Sequence, residues 1–348
     1  LADRLQWVEE GTYPVAPGVY RIPLPLPLDG LRAVNVYAIE AADGLVLIDS
    51  GWALANSRGQ LERSLARIGA GLPDVRQFLI THLHRDHYTQ AVAISRELGI
   101  CVALGAEEKH SIDKLLGPDM RAMNAQLELL ASAGAGSVAS ELSALVSGQP
   151  GMRPEDFGFG LPSEWITAGQ VFDLGTRTLE AVATPGHTRG HLVFADAAAG
   201  LLFAGDHVLP HITPSIGFEE APPALPLREY LGSLNVVRRM PDMTLLPAHG
   251  PVSASTHARI DELIGHHDGR LAAIEAVLSG TEGRTAYRVA QELPWTSRQR
   301  RLAEMDVMNQ MLAICETAYH LDLLVARSAA TSSVTDGVRR YLRSAPPE

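Results

Sequence analysis

Residues 81–87 read THLHRDH, and they directly follow the apolar run VRQFLI. Three histidines and an aspartate this close together are metal-competent, because imidazole nitrogen and carboxylate oxygen are good donors to zinc, iron or manganese. Three later segments repeat the arrangement: EAVAT runs into PGH and His187, LLFAG runs into Asp206, and TLLPA runs into His249. With His82, His84, Asp86 and His87 they make a candidate set of five imidazoles and two carboxylates. A tetrahedral ion takes four ligands. The set suits two ions that share a carboxylate and leave a position for water. Two ions about 3.5–4 Å apart lower the pKa of a bridging water and together polarise a carbonyl or phosphoryl oxygen.

Such a site needs elements that bring distant segments together. Each segment begins as an apolar run of strand length, and side chains just past neighbouring strand ends gather on one rim of a sheet. The pattern predicts further strands at VNVYAIE, LVLIDSG, ICVALG and QVFDLGTRTLEAVAT, and a hairpin at HLVFADAAAGLLFAGD. SRGQLERSLARIG and YTQAVAISRELG carry helical spacing, the first stopped by Gly69. Residues 106–150 predict two or three helices rich in Leu, Ala and Met. From about residue 266 the pattern is again helical, through GRLAAIEAVLSG, TAYRVAQEL and VMNQMLAICETAYHLDLLVAR, and DGVRRYL suits a short strand or wing.

The motifs THLHRDH, TPGHTRGH, FAGDH and PAHG, with VLIDSG upstream, resemble those of the metallo-β-lactamase-fold hydrolases, in that family's order and spacing over residues 35–251. The resemblance implies an α/β fold, an αββα sandwich with a dinuclear site at one edge. It implies His82, His84 and His187 on one divalent ion, Asp86, His87 and His249 on the other, and Asp206 bridging. Zinc is the first expectation, with iron and manganese also accepted by these ligands. Asp49 matches a family aspartate that supports the site from behind the ligands. The implied layout is a catalytic domain over 1–265, a helical cap insertion over 106–165, and a C-terminal winged-helix-like appendix over 266–348. The bridging aspartate, the absence of cysteine from the motifs and the presence of His84 make the chain most similar to the glyoxalase II-like and β-lactamase-like protein 2-like group. That implies hydrolysis of a thioester or related activated ester, with a metal-bridging hydroxide attacking the carbonyl and Asp86 as the catalytic residue orienting it. A thiolate leaving group is a weak base and needs no dedicated acid. A lactonase, or an endoribonuclease or phosphodiesterase using the same site, is the alternative.

Other residues carry two readings each. His191, His207 and His211 line the pocket or serve structure, and Tyr88 either hydrogen-bonds a substrate oxygen or packs as an aromatic. His266 and His267 read as solvated at a helix start. Leu115, Leu116, Met120, Met123, Leu127 and Leu130 either pack the insertion onto the body or line an acyl site.

Bulk properties narrow the partners. A net charge of −11 disfavours nucleic acid and anionic membrane. Residues 266–348 carry ten arginines against ten acidic residues, and RQRR at 298–301 reads as a solvated helix face. Cys101 and Cys315 are the only cysteines, too few for a disulfide framework or a cysteine zinc site. They read as buried thiols of a reducing, cytoplasmic compartment. No apolar stretch approaches the roughly 20 residues of a membrane span, and no signal-peptide pattern is visible, although a removed leader stays open. The expected partner is a small-molecule acyl substrate, with no nucleic acid and no membrane. An apolar face on the insertion leaves a homodimer open.

Overall fold

The computed structural model describes residues 3–27, 30–118, 123–147, 158–278, 282–296 and 298–344. The first sheet holds β1 (Tyr13–Ala16), β2 (Val19–Pro25), β3 (Ala33–Ala41), β4 (Gly44–Ile48), β5 (Val75–Ile80), β6 (Cys101–Gly105) and β7 (Glu164–Ile166), side by side in that order. β1 to β4 are antiparallel, and β4 to β7 run parallel. The parallel steps follow α1 (Ala55–Ala66), α2 (Arg85–Leu98) and the inserted helices α3 (Lys109–Leu115), α4 (Asn124–Ser132) and α5 (Gly136–Ser147). The second sheet has the order β12-β11-β10-β9-β8, from β8 (Val171–Asp173), β9 (Thr178–Ala183), β10 (Leu192–Asp196), β11 (Leu201–Gly205) and β12 (Thr244–Pro247). α6 (Pro226–Arg239) crosses over between the parallel pair β11 and β12.

Strand alternation produces the layers. On β4, Val46 and Ile48 face inward and meet Leu179, Ala181, Phe194 and Phe203 of the second sheet. Leu45 and Leu47 face outward onto Leu61 and Leu65 of α1 and Ala91 and Ile94 of α2. The outer face of the second sheet, including Val193, Leu202 and Leu245, packs on α6 and on α7 (Thr256–Val277), α8 (Ala286–Glu292) and α9 (Val307–Ala326). Helices therefore cover both outer faces of two stacked sheets, the expected αββα sandwich. The hairpin β13 (Ala330–Thr335) and β14 (Val338–Arg343) completes the C-terminal part.

Several boundaries differ from the sequence reading, each for a local reason. α2 starts at Arg85, because His84 is extended (φ −63°, ψ 152°) and serves as its cap. Asp86 and His87 thus lie in a helical first turn rather than on a loop. The end of the 106–165 insertion is strand, since Glu164 and Trp165 pair with β6. The 265/266 division falls inside α7, a single 22-residue helix that Ser255 caps by accepting from the Ala258 N–H. His266 and His267 therefore sit in mid-helix. His266 is exposed, but His267 is buried and stacks on His320 of α9, with ring centroids 5.2 Å apart. The apolar stripe of the insertion packs inward: Leu130, Met123 and Leu127 join the cluster on the C-terminal helices, and Leu115 and Leu116 lie against the first-sheet cluster. Met120 lies outside the described residues. Among the described residues no helix is long and apolar enough to cross a membrane.

Candidate metal centre

The strand ends converge as their spacing predicts. β5 ends at Ile80 and delivers Thr81 and His82, while β9, β11 and β12 deliver His187, Asp206 and His249. β11 comes very close to the first loop. A Cβ on Gly205 would lie 2.7 Å from the Thr81 side chain and 2.8 Å from His191 Nε2, and its φ is +50°. Glycine is thus required there on both counts. The donor atoms of His82, His84, His187 and Asp206 lie within 4.8 Å of one another, and those of Asp86, His87 and His249 form an equally tight second group. The structure brings together every candidate ligand named from the sequence.

Each imidazole is held by a hydrogen bond on its outward nitrogen. His84 Nε2 donates to the Phe218 carbonyl (2.6 Å), His187 Nδ1 to that of Ser215 (2.6 Å), and His249 Nδ1 to that of Ala33 (2.7 Å). His87 Nδ1 donates to Asp49 Oδ2 at 2.8 Å. The Thr81 hydroxyl donates to Asp49, so His82 Nδ1 donates to Thr81 Oγ1 at 3.0 Å. Every outward nitrogen carries the hydrogen, so the inward nitrogen of each neutral ring presents a lone pair.

Those lone pairs face each other. His187 Nε2 is 3.2 Å from His82 Nε2 and 3.0 Å from His84 Nδ1, yet none of the three has a hydrogen to share. His87 Nε2, His249 Nε2 and Asp206 Oδ1 are buried with no hydrogen-bond partner. Asp206 spans the groups, with Oδ2 3.5 Å from His187 Nε2 and Oδ1 3.3 Å from His249 Nε2. Asp86 Oδ2 is 3.4 Å from His249 Nε2. Two donors each about 2.1 Å from one tetrahedral ion stand about 3.4 Å apart. The arrangement therefore fits cations placed between the donors better than hydrogen bonds among them.

Charge agrees with geometry. Burial, then the neighbouring imidazoles, hold His82 and His187 well below the ordinary histidine range, so both stay neutral and able to donate a lone pair. Burial lowers His84 as well. Burial also disfavours charge on His87, but the carboxylates of Asp49, Asp86 and Asp206 outweigh it and push this group up to about 10. Asp206 and Asp86 likewise raise His249 against burial. Burial alone would raise Asp86, but the imidazoles around it, His87 first, hold it well below the carboxylate range. This half of the site attracts positive charge: without a metal ion His87 holds a proton there, and its inward nitrogen would present a lone pair once a cation took that proton's place.

The remaining candidates separate clearly. Asp49 binds no inward point. It accepts from Thr81 N (2.8 Å), Thr81 Oγ1 and His87, orienting the site from behind. His191 is spent internally: Nδ1 donates to Thr184 Oγ1 (2.8 Å), Nε2 accepts from Asp206 N (3.2 Å), and its ring stacks on His82. His207 is buried against the rings of His191 and Tyr230, and His211 is exposed. Tyr88 is buried and donates to the Gly160 carbonyl. Sequence reasoning missed Asn35, whose side-chain amide donates to the carbonyls of Pro247 and Gly250 and fixes the His249 turn. A polar residue inside the apolar strand VNVY was the available signal. A cavity of about 120 Å³ lies beyond Phe218, and none of the seven candidate ligands lines it. Phe218, whose ring lies 5.6 Å from that of His84, shares its wall with Gln126, Leu312, Cys315 and Glu316.

An αββα sandwich with clustered His and Asp donors at its strand ends defines a class of metal-centred hydrolases. The family model of the metallo-beta-lactamase superfamily matches residues 29–249, and the chain belongs to that superfamily. It is similar to a probable metallo-hydrolase, YqjP, of Bacillus subtilis (strain 168), 26% identical over 332 residues, 90% of this chain and 93% of the relative. It also matches the lactamase-like protein nscB of Aspergillus fumigatus, 27% identical over 248 residues, 71% of this chain and 57% of that protein. A metallo-beta-lactamase family protein from Thermus thermophilus superposes with TM-score 0.78 at 27% identity, over 95% of this chain and 100% of that one. A beta-lactamase domain protein from Burkholderia ambifaria does so with TM-score 0.79 at 26% identity, over 96% and 94%. Coverage this broad takes in the C-terminal helices as well as the sandwich. The chain is a metallo-hydrolase of this superfamily with a His/Asp cluster able to bind metal.

Proposed function

We propose that the protein is a dinuclear metal-dependent hydrolase of a thioester or related activated ester. The observation that carries this reading is the pair of adjoining donor groups joined by the two oxygens of Asp206, with their inward lone pairs facing one another. His82, His84 and His187 would hold one divalent ion, and Asp86, His87 and His249 the other, with Asp206 between them. Zinc is the first candidate, and iron and manganese suit the same donors. Two such ions, when bound, supply Lewis acidity toward a carbonyl and a water of lowered pKa.

The chain's own residues supply the rest. The outward hydrogen bonds of the five histidines fix their rings, so the donors need little reorganisation. Asp86 is the more open carboxylate, with its side chain 17% exposed against 8% for Asp206, and it can accept a hydrogen bond from an attacking water and hold its orientation. His191 and His207 are enclosed, and neither offers a proton to a leaving group. A site organised this way favours a leaving group that departs as a weakly basic anion, as a thiolate does. The cavity beside Phe218 would take the acyl or thiol arm of a small-molecule substrate.

The experiment is a hydrolysis screen on metal-replete protein, with a thioester panel, a lactone panel and a labelled single-stranded RNA, and with His84→Ala as the blank. Thioester turnover lost in the variant supports the reading. RNA cleavage with inert thioesters would replace it with a phosphodiesterase.

A further inference from the structure

We propose that Glu108 is a positioning residue, tying together the two loops that carry His82, His84 and His187, and that Glu219 secures the same region from the segment beside it. The inference rests on the two-ion reading above.

Glu108 follows β6 and is fully buried. Its Oε1 accepts from the hydroxyl of Thr188, the residue next to His187. The backbone N–H of Leu83, between His82 and His84, is near enough to the same carboxyl to favour its charged form, while the second oxygen, Oε2, is buried with no hydrogen-bond partner. The approach is close: a Cβ on Gly190 would lie 2.3 Å from Glu108 N. Glu219, 8% exposed, accepts from the Arg189 N–H (2.6 Å) and from the Ser111 hydroxyl (2.7 Å). The residue before it, Phe218, supplies the carbonyl that holds His84. Gln126 donates to the Glu219 carbonyl at 2.9 Å.

Neither carboxyl orients an imidazole directly. They act on the backbones that carry the rings. Ser111 and Gln126 belong to the helical insertion, which in this way is fastened to the ligand loops instead of merely covering them. Burying two acids side by side is costly, and burial together with their mutual repulsion raises Glu108, as burial raises Glu219. The donors that offset this cost come mainly from segments flanking the ligands of one ion, none from those flanking His249. The arrangement therefore specifies one half of the metal centre.

The test is a Zn²⁺ titration against a chromophoric chelator on the full chain, paired with absorption spectra of the Co²⁺-loaded protein. The variants are Glu108→Ala, Glu108→Gln and Thr188→Val. Loss of an outer partner costs a metal site about 10- to 100-fold in affinity. Glu108→Ala is expected to weaken one of the two ions by that factor and leave the other in place. Glu108→Gln, which keeps an oxygen for Thr188, restores most of the affinity. Thr188→Val weakens the same ion by less, and the Co²⁺ spectrum changes with that ion. A purely structural role would weaken both ions equally with a lower melting temperature, and that result overturns the inference. So do unchanged affinities in all variants. Should Glu108→Ala fail to fold, an unchanged Thr188→Val overturns it alone. A wild type that binds one ion overturns the dinuclear reading, and the variants then score this inference on that ion. A wild type that binds none overturns both.

Discussion

Replacing Asp49 with asparagine should disable one half of the metal centre while leaving the fold intact. Asp49 has φ +60°, a conformation that asparagine tolerates well. The asparagine oxygen can keep the Thr81 N–H and hydroxyl, which Asp49 Oδ1 holds at 2.8 and 3.0 Å. The amide nitrogen then replaces Oδ2, 2.8 Å from His87 Nδ1. Two N–H groups would face each other there, and two donors cannot bond. His87 relieves the conflict by moving its hydrogen to Nε2, which removes the lone pair aimed at Asp86 and Asp206. Losing an outer partner of a ligating histidine costs about 10- to 100-fold in affinity, or about 1.4–2.7 kcal/mol. The ion on Asp86, His87 and His249 should weaken by that amount and the other much less. Chelator competition measures both affinities, and a thermal melt of the metal-free protein controls for folding. A folded Asp49→Asn protein that binds both ions as tightly as wild type would refute the reasoning.

Further outcomes follow from the packing and the buried titratable groups. Phe194→Ala empties a fully buried position between the sheets and should cost about 3–5 kcal/mol in urea unfolding. His267 is held neutral by burial and by His320, down to about 2, and His320 by burial and by Arg270 and His266, down to about 4. The unfolded chain takes up protons below about pH 6.5 and the folded one does not, so this stability is present above pH 6.5 and lost as pH falls. Between pH 6.5 and 5, wild type should lose about 1.6 kcal/mol more than His320→Asn, because that is what one histidine gains by protonating in the unfolded chain over this range; equal losses would count against the pair. Glu108 has the opposite sign. Its raised pKa means that the folded metal-free protein binds the extra proton, so stability falls as pH rises above about 4.5. Glu108→Gln should flatten that fall, as read from melting temperatures between pH 5 and 8.

The donors were legible because each follows an apolar run that can only be a strand, and because His and Asp in TH-x-H-x-DH spacing are rarely structural. The two stacked sheets were legible for the same reason: on β4 the residues alternate between two faces that are both apolar. The partners that orient the donors were not legible. Phe218, Ser215 and Ala33 contribute backbone carbonyls, which leave no trace in residue type. Glu108 and Glu219 lie 111 positions apart (219 − 108) and read singly as surface acids. β13, ATSSVT, has almost no apolar content and forms because β14 pairs with it along its whole length. His267 reads as solvated until α7 is traced back to its Ser255 cap, which places it on the face against α9.

The central claim is most directly tested by anomalous scattering from crystals grown with Zn²⁺ and measured on both sides of the zinc edge. Two peaks per chain are expected, one among His82, His84 and His187 and one among Asp86, His87 and His249, with an oxygen of Asp206 near each. A single peak, or peaks away from Asp206, would contradict it.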